Sequence, residues 1–233
     1  MKTVILCGGY GTRLSEETII KPKPMVKIGN KPILEHIMSI YEYYGYNQFI
    51  LALGYKSEYI KKYYKNKSKK NINLIYTGKD TKTGGRLLRL KNYLKNEKTF
   101  MLTYGDGISN INIKQAIKFH NNHGKIATIT AVRPPVRFGE LRINRNKVKS
   151  FKEKSQIHQG WINGGFFIFN NEILNFIKND QTMLEREPLE KLVEMKQLAA
   201  YVHDGFWQPM DTLRDKTYLQ SLWDLKEAPW KVW

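Results

Sequence analysis

Leu6-Cys7-Gly8-Gly9-Tyr10-Gly11-Thr12-Arg13-Leu14 decides the fold, because it continues the apolar run Val4 to Leu6 without a break. A short apolar run closed by glycines reads as a buried strand passing into a turn. Glycines in such a turn let backbone N–H groups approach an anion closely. The pattern is not the dinucleotide fingerprint, since the third glycine of GxGxxG falls on Leu14, and no Gly-Lys-Ser or Gly-Lys-Thr follows to make a P-loop. Arg13, two residues past Gly11, and Lys21 and Lys23 in Lys21-Pro22-Lys23-Pro24-Met25 add cations, with proline restricting the backbone. The loop suits a triphosphate. A plain turn with solvent-facing cations is the alternative, and cations on both sides of the segment weigh against it.

Further apolar runs of strand length lie at Phe49 to Leu53, Ile72 to Tyr76, Phe100 to Tyr104 and Ala127 to Val132, each read as a buried strand. Between them Ile33, Leu34, Ile37, Met38, Ile40, Tyr41 and Tyr44 recur at spacings of three and four and stop at Gly45, which predicts a helix. Leu87, Leu88, Leu90 and Leu94 predict a second amphipathic stretch. This alternation predicts an α/β fold, with a Rossmann-like, mixed but mostly parallel sheet carrying helices on both faces. Beyond Pro134-Pro135 the pattern shifts to short strands, Glu140 to Ile143, Val148 to Phe151 and Phe166 to Phe169, with helices near Asn171 to Ile177 and Pro188 to Met195. A single domain over 1–233 is expected, residues 1–132 forming one part and 133–233 a smaller β/α portion with a Trp-bearing, packed C-terminal tail.

With 41% apolar and 26% charged residues in 233, and only 17 Gly and 8 Pro, the composition excludes a mainly disordered or collagen-like chain. No run approaches the ~18 apolar residues of a spanning helix, and Gly8-Gly9 cut short the apolar stretch after Met1-Lys2-Thr3, so neither a membrane span nor a secretory signal is expected. Cys7 is the only cysteine, which leaves no internal disulfide and suggests a cytoplasmic setting. The 39 Lys and Arg against 21 Asp and Glu give a net charge of +18, which raises nucleic-acid binding as a rival class. Its densest support, Lys61-Lys62-Tyr63-Tyr64-Lys65-Asn66-Lys67-Ser68-Lys69-Lys70, interleaves aromatics with cations. Lys, Asn and Ile are abundant along the whole chain, so the run reads better as a solvated face, and no specific nucleic acid is expected.

Two carboxylates stand out. Asp106, in Thr103-Tyr104-Gly105-Asp106-Gly107, falls at the carboxyl end of a predicted strand, where open α/β sheets bind ligands. Asp211, in Trp207-Gln208-Pro209-Met210-Asp211-Thr212, follows an aromatic stretch. Alone, the first is a common turn composition and the second a helix N-cap before Thr212 to Leu222. Together they suit Mg²⁺, which takes one or two carboxylates and completes its shell with water and phosphate. Glu153-Lys154 reads on its own as a strand-end pair and Asn163-Gly164-Gly165 as a turn.

Taken with Thr77-Gly78-Lys79-Asp80-Thr81-Lys82-Thr83-Gly84-Gly85-Arg86, Trp161-Ile162-Asn163-Gly164-Gly165-Phe166-Phe167, Glu185-Arg186-Glu187-Pro188-Leu189 and His203-Asp204-Gly205-Phe206-Trp207, these motifs resemble the sugar-1-phosphate nucleotidylyltransferases from Met1 to Trp233. Within that family the likeness is to the branch that uses CTP and glucose 1-phosphate. The resemblance implies a GT-A-like fold, with residues 1–132 binding nucleotide and 133–233 binding the sugar phosphate. It implies that Leu6, Cys7, Gly8, Gly9, Tyr10, Gly11, Thr12, Arg13, Lys23, Thr81, Arg86 and Gly105 hold the nucleotide, and that Glu153, Lys154, Asn163 and Gly164 hold the sugar phosphate. Asp106 and Asp211 would bind Mg²⁺, and with Arg13 and Lys23 they would carry the catalysis. A homo-oligomer with no membrane partner is also implied. The chain departs from the family in a shorter link before Thr77, which bears on quaternary contacts, and in Cys7 where alanine is usual, which should be silent packing.

The implied chemistry needs no side-chain nucleophile. A sugar phosphate has a second pKa of about 6 and is largely a dianion at neutral pH. The protein must neutralise charge, with Arg13, Lys23 and Lys154 beside Mg²⁺, and place the attacking oxygen in line with the α-phosphorus. His36 is expected in the core or an interface, and His203 is a candidate for orienting a loop. The rivals are the same chemistry on another nucleotide or sugar phosphate, and a non-catalytic regulator or nucleic-acid binder on the same fold.

Overall fold

The structure is a computed structural model and describes residues 1–65, 71–135, 140–152 and 160–233. Its centre is a seven-stranded sheet of β1 (Thr3–Cys7), β2 (Phe49–Leu53), β3 (Ile72–Tyr76), β4 (Thr99–Tyr104), β5 (Ala127–Val132), β6 (Ile162–Asn170) and β7 (Leu198–His203), in the order β7-β5-β6-β4-β1-β2-β3. All strands run the same way except β6, which lies antiparallel between β4 and β5. The sheet is mixed and mostly parallel, as expected.

Successive side chains of β1 go to opposite faces, Ile5 and Cys7 into one core and Val4 and Leu6 into the other. The alternation repeats in β4, with Met101 on the first side and Phe100 and Leu102 on the second. Helix α1 (Ile33–Tyr43) covers the first core, and α2 (Ser57–Lys65) follows β2. α1 stops where Gly45 takes φ 91°, a conformation that favours glycine. Helix α3 (Thr83–Arg89) covers the second core through Leu87. The stretch expected over Leu87 to Leu94 is two short helices, because the chain leaves helical geometry at Leu90 before Lys91–Leu94.

Helix α4 (Ile113–His123) is capped by Asn112, whose side chain accepts from the Gln115 N–H, and closed by Gly124 at φ 64°. The segment Asn171–Phe176 is a 3₁₀ helix, and α5 (Glu187–Glu194) and α6 (Leu213–Asp224) follow. β3 corrects one expectation: it is an edge strand with only β2 beside it, so its side chains are half-exposed and Tyr76 is 53% exposed.

A two-stranded antiparallel ribbon outside the main sheet pairs Gly107–Ser109 with Trp207–Pro209, Pro209 opposite Gly107. Its register continues through a 2.8 Å hydrogen bond from the Met210 N–H to the Asp106 carbonyl. The tail is packed: Trp230 is fully buried, with Phe206 stacked 5.6 Å away and Trp223 at 6.4 Å. Among the described residues no helix is long and apolar enough to cross a membrane.

Candidate active site

The carboxyl ends of β1 and β4 and the loop after β3 border a cleft of about 590 Å³. Its floor is the glycine loop, and beneath that loop lies Arg86, only 5% exposed. Arg86 Nη1 donates to the Gly78 carbonyl at 2.7 Å, to Thr77 Oγ1 at 2.9 Å and to the Leu53 carbonyl at 3.2 Å. Nη2 donates to the carbonyls of Gly8 at 2.9 Å and Lys79 at 3.2 Å. A Cβ at residue 8 would collide with this guanidinium, so the close approach that Gly8 permits is to Arg86. Gly9 has open space where its side chain would be, and Gly11 takes φ 68°. Arg86 thus ties the loops after β1, β2 and β3 into one cradle and places a buried positive charge behind the glycines. Burial pulls its pKa below the ordinary guanidinium value.

Leu6, Cys7, Tyr10, Thr12, Thr81 and Gly105 also line the cleft. Tyr10 reaches across it to donate a hydrogen bond to Asp80, which holds the Tyr10 hydroxyl above its usual pKa. Cys7 is buried in the core and burial pushes its thiol far up, so it is inert packing. Lys21 pairs with Glu17 at 2.8 Å and is not part of the cleft wall.

At one end of the cleft Lys23, in the 3₁₀ turn Lys23–Met25 after Pro22, lies between two carboxylates. Its Nζ is 2.7 Å from Asp106 Oδ2 and 2.5 Å from Asp211 Oδ1, with the side chain 9% exposed. Burial pulls the Lys23 pKa down, but the Asp106 charge and hydrogen bond, joined by Asp211, outweigh it and the net shift is upward. Arg13 Nη1 reaches Asp211 Oδ2 at 2.6 Å from a side chain 76% exposed. Asp211 is free for this because the cap of α6 is Thr212, in a reciprocal capping box with Asp215. Two carboxylates converging on one cation position is the donor set Mg²⁺ takes when phosphates supply the rest. Among the described residues no group of three or more His, Cys, Asp or Glu could hold a metal by itself.

Thr83, Tyr104 and Glu185 also line the cleft, and they belong to a network that sequence spacing did not reveal and that reaches Asn163 and Gly164, which are not themselves among the lining residues. Tyr104 donates to Glu185 Oε1 at 2.6 Å, Thr83 donates to Glu185 Oε2 at 2.6 Å, and Asn163 Nδ2 donates to the Tyr104 hydroxyl at 3.3 Å. Asn163 Oδ1 accepts from the Gly165 N–H at 2.8 Å, and Trp207 Nε1 donates to the Gly164 carbonyl at 2.7 Å. Gly165 takes φ 75°, and a side chain there would strike the Tyr104 ring. Burial, then the Glu185 charge, pushes the Tyr104 phenol well up, so it stays a neutral donor. Glu153 and Lys154 lie outside the described residues. The sole signal for Glu185 was its place in Glu185-Arg186-Glu187-Pro188-Leu189, and nothing in that motif pointed to Tyr104.

Residues 2–226 match the model of the family described as nucleotidyl transferase. The chain belongs to that family. This nucleotidyl transferase is 49% identical, over 256 aligned positions and the whole of both chains, to glucose-1-phosphate cytidylyltransferase of Salmonella typhimurium. It is 43% identical, again over the whole of both chains, to the probable glucose-1-phosphate cytidylyltransferase of Bacillus subtilis. Among solved structures the nucleotidyl transferase resembles HddC from Yersinia pseudotuberculosis complexed with GMP-PN. The TM-score is 0.76 and the identity 27%, over 95% of this chain and 99% of that one. The fold is therefore that of the nucleotidyltransferases, consistent with a GT-A-like architecture.

Proposed function

We infer that this nucleotidyl transferase transfers the cytidylyl group of CTP to α-D-glucose 1-phosphate, giving CDP-glucose and pyrophosphate. The observation that carries the reading is the meeting of Lys23, Asp106 and Asp211 at one end of a glycine-floored cleft. End-to-end similarity to glucose-1-phosphate cytidylyltransferases supports the choice of substrates.

The nucleophile is the sugar phosphate, already a dianion near neutral pH. No protein nucleophile is needed, and Cys7 is too buried to be one. Backbone N–H groups of the loop from Leu6 to Arg13, over the Arg86 charge, receive the triphosphate, with Thr81 and Gly105 against the nucleoside. Lys23 and Arg13 neutralise the α-phosphate and the departing pyrophosphate. Asp106 and Asp211 would hold Mg²⁺, which when bound supplies further charge neutralisation on phosphate oxygens. Asn163 and Gly164, braced by Tyr104, Glu185 and Trp207, orient the sugar phosphate together with Glu153 and Lys154, so that its oxygen lies opposite the leaving pyrophosphate.

A single buried cysteine supports a cytoplasmic setting. Exposed Ile143, Val148 and Phe151 on the ribbon of Glu140–Asn144 and Lys147–Lys152 support a homo-oligomer. Pyrophosphate release measured across CTP, UTP, dTTP, ATP and GTP with glucose 1-phosphate and other sugar phosphates tests the reading. CTP with glucose 1-phosphate is expected to give the highest kcat/KM, and preference for another pair would replace it.

A further inference from the structure

Lys23 holds both candidate metal ligands at once. Its ammonium lies 2.7 Å from one carboxylate and 2.5 Å from the other, in the position a cation shared by Asp106 and Asp211 would take. We propose that Lys23 is the built-in counterion of the metal site in the nucleotide-free enzyme, and that a divalent metal gains both carboxylates only when nucleotide phosphates draw the ammonium away. The inference rests on the assignment of Asp106 and Asp211 as the metal ligands. Metal and nucleotide then bind as a coupled pair, each raising the affinity for the other.

Three features carry the argument. The Lys23 backbone is held in place, since Pro22 and Pro24 flank it and its carbonyl accepts from the Val26 N–H at 3.0 Å, so the four-carbon side chain is the part free to move. An ammonium and a divalent cation repel each other, so they cannot share the space between the two carboxylates. The side chain is 9% exposed, and moving its charge off the carboxylates without a new anion would leave a buried, unpaired ammonium. A triphosphate in the glycine loop supplies that anion. Arg13 is the contrast: it also reaches Asp211, but at 76% exposure it can swing into water and gate nothing.

The test is Mn²⁺ binding to the nucleotide-free protein, with free Mn²⁺ followed by electron paramagnetic resonance and no turnover involved. Lys23→Met is expected to tighten Mn²⁺ binding about ten-fold or more, within the range usual for two-site coupling. Arg13→Gln should shift it less than about three-fold, as an exposed pair is worth little. Asp106→Asn should weaken binding in either background. Lys23→Met with Mn²⁺ affinity equal to or below wild type overturns the proposal. If circular dichroism shows that Lys23→Met is unfolded, Lys23→Gln is titrated under the same criterion. Mn²⁺ that binds neither wild type nor variant, even with CTP present, overturns the metal assignment and the proposal with it. Pyrophosphate release from CTP and glucose 1-phosphate, measured separately, shows whether the transferase reading survives that result.

Discussion

Arg86 donates from Nη2 to the Gly8 carbonyl at 2.9 Å, and its guanidinium fills the space where residue 8 would carry a side chain. The cradle for the anion is therefore held from behind by a cation. Arg86→Lys keeps the charge but loses the fork that spans five acceptors, so that one ammonium can no longer serve the Gly8, Gly78 and Lys79 carbonyls together. A loss of about 2 kcal/mol is expected, read in urea unfolding, together with a raised KM for the nucleotide.

Lys23→Ala should lower kcat/KM by about 10²- to 10³-fold, because a cation aimed at developing phosphate charge from a nearly dry site is worth several kcal/mol. Steady-state kinetics beside unchanged circular dichroism checks this. Near-normal turnover would remove Lys23 from the machinery.

Turnover should stop in excess EDTA and return with added Mg²⁺, because once the phosphates draw Lys23 off Asp106 and Asp211 only a divalent cation would offset the two carboxylates. Activity undiminished by the chelator would refute the role given to Asp106 and Asp211.

Tyr104→Phe cuts the link between Glu185 and Asn163 while leaving the ring packed against Gly165. The KM for glucose 1-phosphate should rise about ten-fold, the effect of about 1.4 kcal/mol, with little change in the KM for CTP. A rise confined to CTP would move this network to the nucleotide side.

His36 accepts from Trp230 Nε1 at 3.3 Å through Nδ1, and its Nε2 is 3.0 Å from the Ile28 carbonyl, so the ring is held neutral with the proton on Nε2. Burial depresses its pKa, so the unfolded chain binds the proton more readily and stability rises with pH through this window. The contribution is full above the ordinary imidazole value of 6.5 and is lost as the pH falls from there toward the folded value. Burial lowers His120, His123 and His203 in the same direction. The urea midpoint should drop from about pH 7.5 to about pH 5.5, and less steeply in His36→Gln.

The sequence by itself determined the parts whose physics is local. Val4 to Leu6, Phe49 to Leu53 and Phe100 to Leu102 are apolar throughout because a parallel strand covered on both faces has no solvated side, and such runs announce themselves at short range. The helix from Ile33 and the glycine loop are legible for the same reason. Ile72 to Tyr76 is apolar but for Asn73, yet its exposure depends on having a neighbour on one side only, and strand order is a tertiary fact.

Tertiary structure alone decided which side chains meet. Lys23 bonds to Asp106 across 83 residues and to Asp211 across 188, through a ribbon whose register no local pattern encodes. The antiparallel insertion of β6 between β4 and β5 brings Asn163 to Tyr104, and the closure of α3 against the segment before α5 brings Thr83 to Glu185. Composition fixes what each residue can do, whereas a bond a few ångströms long between distant segments depends on how the sheet orders its strands, and that is settled only when the two cores pack.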